Sequence, residues 1–297
     1  MWTSLHIYYY DNQDYLVRNL IYPVIADIEK QFFFIRYWDG GPHIRLRVKN
    51  LKESHTKYLV EQCSLFLKKN PSTISIDAEI YSRQSKALSE QEKEGTIIKE
   101  LIENNSIKLE KYNRESEKYF GIQGLKIAEE QFYYSSQLVI SFLMEKPNVK
   151  KKYIFSSILI NILIDIFLTD MSFSEKTEYL DYYISYWTNF TKTSHSEVLK
   201  WRKNISTEMI LFCINPLNII SQTLLDDIVQ QFSNTYQAIQ EKLPLKAKYS
   251  LLFNFIHLTN NRLGLNPKDE ICVAAISSSV VSKKNSFTER GNYNELF

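Results

Sequence analysis

Phe32-Phe33-Phe34-Ile35-Arg36-Tyr37-Trp38-Asp39-Gly40-Gly41-Pro42-His43-Ile44-Arg45-Leu46-Arg47-Val48-Lys49 reads as two strands and the turn that joins them. Aromatic and β-branched residues dominate both arms, and such side chains suit a pleated, half-buried surface. The Asp39-Gly40 pair between them is a strong short-range hairpin signal. Side chains alternate across a strand, so the second arm has two faces. Ile44, Leu46 and Val48 point into a core; His43, Arg45 and Arg47 point the other way as one row. Cations side by side on a strand repel one another unless an anion lies between them or water covers them. Two readings fit this spacing: a solvated basic face, or a clamp for a carboxylate or phosphate, which the planar fork of arginine suits.

Outward from the hairpin, residues 3–10 carry Leu5, Ile7 and three consecutive tyrosines, a strand composition. Pro23 stands near the start of an apolar helical stretch ending at Ile28. Leu51–Lys69 reads as a helix closed by Asn70-Pro71. Ser72–Tyr81 reads as another strand, Ser82–Gly95 as a charged surface segment, and Ile107–Tyr112 as a strand leading to Tyr119–Gly124. From Leu125 the periodicity becomes helical. Helices are expected near 125–144, 149–169, 174–190, 194–204, 221–241, 247–263 and 267–281. Gly264 sits where the sixth should stop. The seventh opens with Asn266 as cap, Pro267 at its first position and Asp269 in its first turn. No internal repeat is visible. The expected class is α+β, an N-terminal hairpin-rich sheet followed by a mostly helical second half, in one domain over 1–297. The tail 282–297 is polar, a composition compatible with disorder.

Composition removes several function classes. Lys+Arg 36 against Asp+Glu 34 gives a net charge of +2, without the basic excess of a protein that coats nucleic acid. Cys63, Cys213 and Cys272 are isolated from one another and from histidine, which argues for free buried thiols in a reducing compartment. The N-terminus lacks a secretory signal, so a cytoplasmic location is expected. Tyr153–Leu168, the most apolar run, is broken by Asn161 and Asp165 and is shorter than the roughly 20 residues a bilayer needs. It reads as a core helix, and no membrane insertion is expected. None of the seven glycines forms a nucleotide-phosphate cradle. No metal or organic cofactor is implied.

Two further segments carry polar side chains worth naming. Tyr112-Asn113-Arg114-Glu115-Ser116-Glu117-Lys118-Tyr119-Phe120-Gly121 runs into Ala128-Glu129-Glu130-Gln131-Phe132-Tyr133-Tyr134-Ser135-Ser136. Taken alone it is a turn before a helix. In Ile256-His257-Leu258-Thr259-Asn260-Asn261-Arg262-Leu263-Gly264, His257 and Asn261 share a helical face at i and i+4. A histidine among Phe253, Phe255 and Ile256 fits a hydrogen-bonded core residue or an acid–base group. His6, His55 and His195 have no supporting pattern.

Taken in order, these segments resemble the lantibiotic-dehydratase C-terminal family, seen also in thiopeptide-type bacteriocin biosynthesis. In that family a Phe-hydrophobic-Arg-Tyr … His-hydrophobic-Arg-Leu-Arg hairpin comes first, matched here at 34–48. A Tyr-x-x-Glu-x-x-Arg-Tyr-Gly-Gly motif and an acidic helix follow, matched at 112–136, and a His-x-x-x-Asn-Arg-Leu helix is matched at 257–263. The likeness runs from Trp2 to about Val281. Lys118-Tyr119-Phe120-Gly121 replaces the family's Arg-Tyr-Gly-Gly, keeping the charge and losing the bidentate fork.

The resemblance implies action on a ribosomally made precursor peptide, leader plus core. The first implied reaction is glutamate elimination: an O-glutamylated Ser or Thr loses its α-proton and expels glutamate, leaving dehydroalanine or dehydrobutyrine. On that reading Arg45, Arg47, His257 and Lys118 are catalytic, with the arginines on the glutamyl carboxylates and His257 moving the proton. Arg36, His43, Asn261 and Arg262 are then substrate-binding. The alternative is the [4+2] pyridine synthase reaction of thiopeptide assembly, which releases the leader. The resemblance implies that such cyclases do without the arginine row, so its retention favours elimination. A non-catalytic peptide-binding adaptor is the third reading. The resemblance further implies a separate glutamyl-tRNA-dependent glutamylation subunit as partner, with no direct nucleic-acid binding by this chain, and it allows a homodimer.

Overall fold

The computed structural model describes residues 1–92 and 100–289. The chain is α+β and divides into two compact units: Met1–Arg114 with Ser135–Lys146, and Glu115–Tyr134 with Pro147–Phe297.

The first unit is built on a four-stranded antiparallel sheet. Its strands are β1 (Trp2–Tyr8), β2 (Phe32–Tyr37), β3 (His43–Lys49) and β4 (Ser106–Glu110), in the order β2-β3-β1-β4. Between β1 and β2 run a short helix α1 (Gln13–Leu16), a π-helical turn (Val17–Ile21) and α2 (Tyr22–Ile28). Helices α3 (Glu53–Lys69) and α4 (Ala78–Glu92) separate β3 from β4. The register pairs Leu5 with Leu46 and Phe34 with Leu46 across β1, β3 and β2. Leu5, Ile7, Phe34, Ile44, Leu46 and Val48 therefore share one face, and all are buried. Each such side chain contributes about 1.5–3 kcal/mol by leaving water. This is the core face expected of the hairpin. Ser136 covers the outer edge of β2, its hydroxyl accepting the Phe34 amide at 3.2 Å, as an otherwise unpaired edge requires.

The hairpin turn depends on glycine. Gly41 has φ +102°, and a β-carbon there would stand 2.6 Å from the Tyr10 hydroxyl. Only glycine meets both conditions without strain.

The strand expected at Ser72–Tyr81 does not form. Residues 72–77 lack regular structure, and Ala78 begins α4, a helix that takes in most of the expected surface segment; residues 93–95 of that segment lie outside the described residues. Side chains satisfy the backbone here in place of a ladder. Asn105 accepts the Ser72 amide at 2.7 Å, and the side-chain amides of Asn104 and Asn105 donate to the Ser72 carbonyl. Asp77 then accepts the amides of Glu79 and Ile80, both at 2.9 Å, which starts the helix.

The second unit is helical. It holds a short 3₁₀ turn (Ser116–Tyr119) and the first part of α5 (Gly121–Met144), whose last turns belong to the first unit. There follow α6 (Val149–Phe167), α7 (Phe173–Thr191), α8 (His195–Lys203), α9 (Thr207–Ile214), α10 (Gln222–Lys242), α11 (Ala247–Leu263) and α12 (Pro267–Glu289). The expected bounds agree closely, except that α9 was not anticipated and α12 ends eight residues beyond its expected limit. Helix α9 is eight residues long and starts at Ser206, whose hydroxyl accepts the Met209 amide. Gly264, with φ +77°, closes α11 in the left-handed cap conformation. Helix α12 continues past Val281 into the stretch expected as a tail. The hydroxyls of Ser277, Ser279 and Ser282 turn back onto the helix, donating to the carbonyls of Val273, Ala275 and Ser278. Lys284 adds an ion pair to Asp165 at 2.8 Å. Residues 290–297 of the expected tail lie outside the described residues.

Candidate functional site

The row of β3 takes the face that strand parity assigns. Cross-strand pairing sets Arg45 between His6 and Ile35, and Arg47 between Ser4 and Phe33. The Arg45 guanidinium lies flat over the Tyr37 ring, 3.4 Å from its centroid. Its Nε donates to His43 Nε2 at 3.2 Å. His43 has no exposed surface. It packs against Tyr8, His6 and Tyr37, with ring centroids 4.4, 5.0 and 5.8 Å away. Its Nδ1 faces the Gly41 carbonyl at 2.8 Å. A carbonyl only accepts and an arginine only donates, so an imidazole protonated at Nδ1 and bare at Nε2 satisfies both partners. Arg47 lies over Tyr112 at 4.2 Å and Phe33 at 5.3 Å. Lys49 extends the row, over Trp2 at 5.6 Å.

Arg45 is the informative member. It is partly exposed, and among the described residues no carboxylate pairs with it. Aromatic stacking and a hydrogen bond to a buried ring hold the cation in one pose, its charge uncompensated among the described residues. That arrangement suits a bound anion. Tyr8 stands in the same row, fully buried, its hydroxyl without a hydrogen-bond partner among the described residues. Burial pushes its phenol up to about 12, so it remains a neutral donor.

Arg36 is not part of this row. It pairs in register with Ile44 and so lies on the opposite, core face. There its guanidinium holds Asp14 at 2.6 Å, both side chains largely buried.

In the second unit, α11 presents His257 at partial exposure. Its Nδ1 lies 2.7 Å from Oε1 of Glu270, a carboxylate with essentially no solvent contact. Glu270 belongs to the first turn of α12. Asn266 and Asp269 already cap that helix, leaving Glu270 to turn inward. The second oxygen of Glu270 accepts the Tyr183 hydroxyl from α7 and Asn260 Nδ2 at 3.4 Å. Asn260 in turn accepts the Ser156 hydroxyl at 2.6 Å. The Trp187 ring lies 4.7 Å from the imidazole. The sequence reading named His257 and missed Glu270 and Tyr183. Only the spare acid beside a completed cap could have signalled the former.

The remaining expected residues fall elsewhere. Arg262 is completely buried, its guanidinium 5.2 Å from the Phe132 ring. Asn261, partly exposed, follows Asn260 on α11. Lys118 is half exposed in the 3₁₀ turn, 3.7 Å from Glu115. The three cysteines are unbridged. Burial pushes Cys63 and Cys213 up to about 12 and Cys272 up to about 11, which disfavours the nucleophilic thiolate at each. Among the described residues no cluster of acidic, histidine and cysteine side chains has the geometry of a metal site. None of the described helices is long and apolar enough to cross a membrane.

The model of the lantibiotic biosynthesis dehydratase C-terminal family matches residues 2–281. Comparison with curated proteins gives no match. Among solved structures, the chain is similar to the pyridine synthase TbtD from thiomuracin biosynthesis. The two are 15% identical with a TM-score of 0.74, covering 96% of this chain and 99% of that one. The tRNA-dependent lantibiotic dehydratase MibB from Microbispora sp. 107891 is 18% identical, with a TM-score of 0.58 over 96% of this chain. This chain spans 28% of the length of MibB. TsrL is 12% identical, with a TM-score of 0.58, covering 96% of this chain and 95% of that one. At these identities the likeness establishes a shared fold.

Proposed function

The chain belongs to the lantibiotic biosynthesis dehydratase C-terminal family, and from that premise we propose that it eliminates glutamate from O-glutamylated Ser or Thr of a ribosomal precursor peptide. The observation that carries this reading is Arg45, a pre-oriented arginine that no carboxylate pairs with among the described residues. Elimination needs such a group. Hydroxide is a poor leaving group, whereas the carboxylate of glutamate is a good one, and it must be bound as it departs.

The step balances without a redox partner. A base takes the α-proton of the esterified residue. The C–H electron pair becomes the Cα=Cβ double bond, and the Cβ–O bond breaks with its pair leaving on the glutamate carboxylate. Arg45 and Arg47 bind the glutamyl carboxylates and steady the charge that develops. His257 is assigned the proton, since imidazole titrates near neutral pH. Lys118 takes the place of the family's second-motif arginine as a further cation. His43 supports Arg45 from below. The glutamyl ester comes from a separate tRNA-dependent glutamylation subunit.

Pyridine synthesis is the second reading, favoured by the likeness to TbtD over nearly the full length of both chains. A pyridine synthase has no glutamate leaving group to bind, so the poised arginine weighs toward elimination. The test is a synthetic glutamylated precursor given to wild-type protein and to Arg45→Ala, followed by mass spectrometry. The proposal expects dehydrated peptide from the first and persistent glutamyl ester from the second.

A further inference from the structure

We propose that Glu270 is a positioning residue for His257, fixing the imidazole as the Nδ1–H tautomer so that Nε2 alone is left to accept a proton. The inference deepens the elimination reading and rests on it for the role of His257. Its geometric part stands independently.

An ionised carboxylate only accepts hydrogen bonds. Glu270 Oε1 lies 2.7 Å from His257 Nδ1, so that nitrogen must carry the proton. Oε2 is occupied from the other side by the Tyr183 hydroxyl and by Asn260 Nδ2. Burial, with Glu270 beside it, holds the Tyr183 phenol well above its ordinary value, so it stays a donor. Asn260 is oriented in turn, because the Ser156 hydroxyl donates to its oxygen and leaves its amide hydrogens for Glu270. Groups from α7 and α11 thus meet on the one carboxylate of α12, with α6 orienting Asn260 behind them, and each of these three partners donates to it. A carboxylate held this way cannot turn, and neither can the imidazole it grips. The Trp187 ring closes one side of the imidazole. Nothing in the family motif at 257–263 includes Glu270, which reaches the site from the next helix.

Replacement by glutamine tests the point sharply. In Glu270→Gln the amide oxygen takes the place of Oε2, because Tyr183 and Asn260 both require an acceptor there. The amide nitrogen then faces His257 and donates to Nδ1. The neutral imidazole must move its proton to Nε2, and the nitrogen meant to accept a proton is blocked.

The experiment is ¹⁵N–¹H long-range correlation spectroscopy of the histidine rings across about pH 5 to 9, spanning the imidazole range. His257 is assigned by comparison with His257→Gln. The expected result is a neutral Nδ1–H tautomer in the wild type and Nε2–H in Glu270→Gln. With glutamylated peptide, Glu270→Gln should lower kcat at least tenfold while KM changes little. Nε2–H in the wild type would overturn the proposal, as would the same tautomer in both proteins. If Glu270→Gln fails to fold, the wild-type spectrum decides alone. If the tautomers are as expected but wild-type protein leaves the glutamyl ester intact, the positioning stands and the elimination reading falls.

Discussion

Arg45 donates its Nε–H to Nε2 of His43, two residues away on the same strand face, at 3.2 Å. His43 is buried and anchored through Nδ1 to the Gly41 carbonyl. The turn glycine, the histidine and the arginine therefore form one chain of contacts, and it ends in a fixed cation. The same family motif that supplies the arginine supplies its support.

Removing the support should cost rate without removing the cation. His43→Phe keeps a ring among Tyr8, His6 and Tyr37 but offers Arg45 no acceptor. A small misplacement of a catalytic group costs up to about 100-fold. Steady-state elimination assays should show kcat reduced by about 10- to 100-fold, with the fold retained by circular dichroism. Unchanged kcat would assign His43 to packing alone.

Removing the cation should cost more. Arg45→Ala and Arg47→Ala should each accumulate glutamylated peptide, with elimination slowed by about 100- to 1000-fold, the typical loss for an electrostatic donor of this kind. His257→Ala should behave alike if it carries the proton, at roughly 100- to 10,000-fold. Normal elimination by all three variants, read by mass spectrometry, would falsify the assignment of these residues.

Arg36 serves as the contrasting arginine. Its charge is matched by Asp14 on the core face. Arg36→Ala strands a largely buried carboxylate, a change that typically costs about 3–5 kcal/mol. Urea unfolding should show that loss, while the folded fraction eliminates glutamate at the wild-type rate. A stable Arg36→Ala protein with raised KM would instead return Arg36 to the substrate site.

Strand parity and helical period made most of this legible in the sequence. The alternation of residues 43–48 gave the two faces of β3 correctly, and the caps at Asn266 and Gly264 mark helix ends that form where expected. Arg36 was read as substrate-binding because it sits in the same motif as the row. Its register with Ile44, knowable only from the pairing, puts it on the other face. Ser72–Tyr81 alternates like a strand, and distant asparagines at 104 and 105 drew its backbone out of the ladder. Glu270 escaped notice because its meeting with His257 joins two helices at a packing contact, and no spacing rule describes such contacts.

Lys118 replaces an arginine of the family motif and stands half exposed beside Glu115. An exposed pair of this kind contributes little to stability, so the position is free to change. Lys118→Arg should leave the thermal midpoint unmoved and should keep or raise kcat/KM for glutamylated peptide, because the bidentate fork is restored. A clear fall in kcat/KM would mean that lysine is the preferred residue here.

The central claim is that this protein expels glutamate, and the most direct test is the mass of one peptide. Purified protein is incubated with a precursor carrying a single glutamyl ester, without tRNA or a glutamylating partner. The account predicts loss of one glutamic acid from that peptide, leaving a dehydro residue at the esterified position. An ester that persists would contradict it, the more so if the same protein converts a dehydrated precursor to a macrocycle and releases its leader.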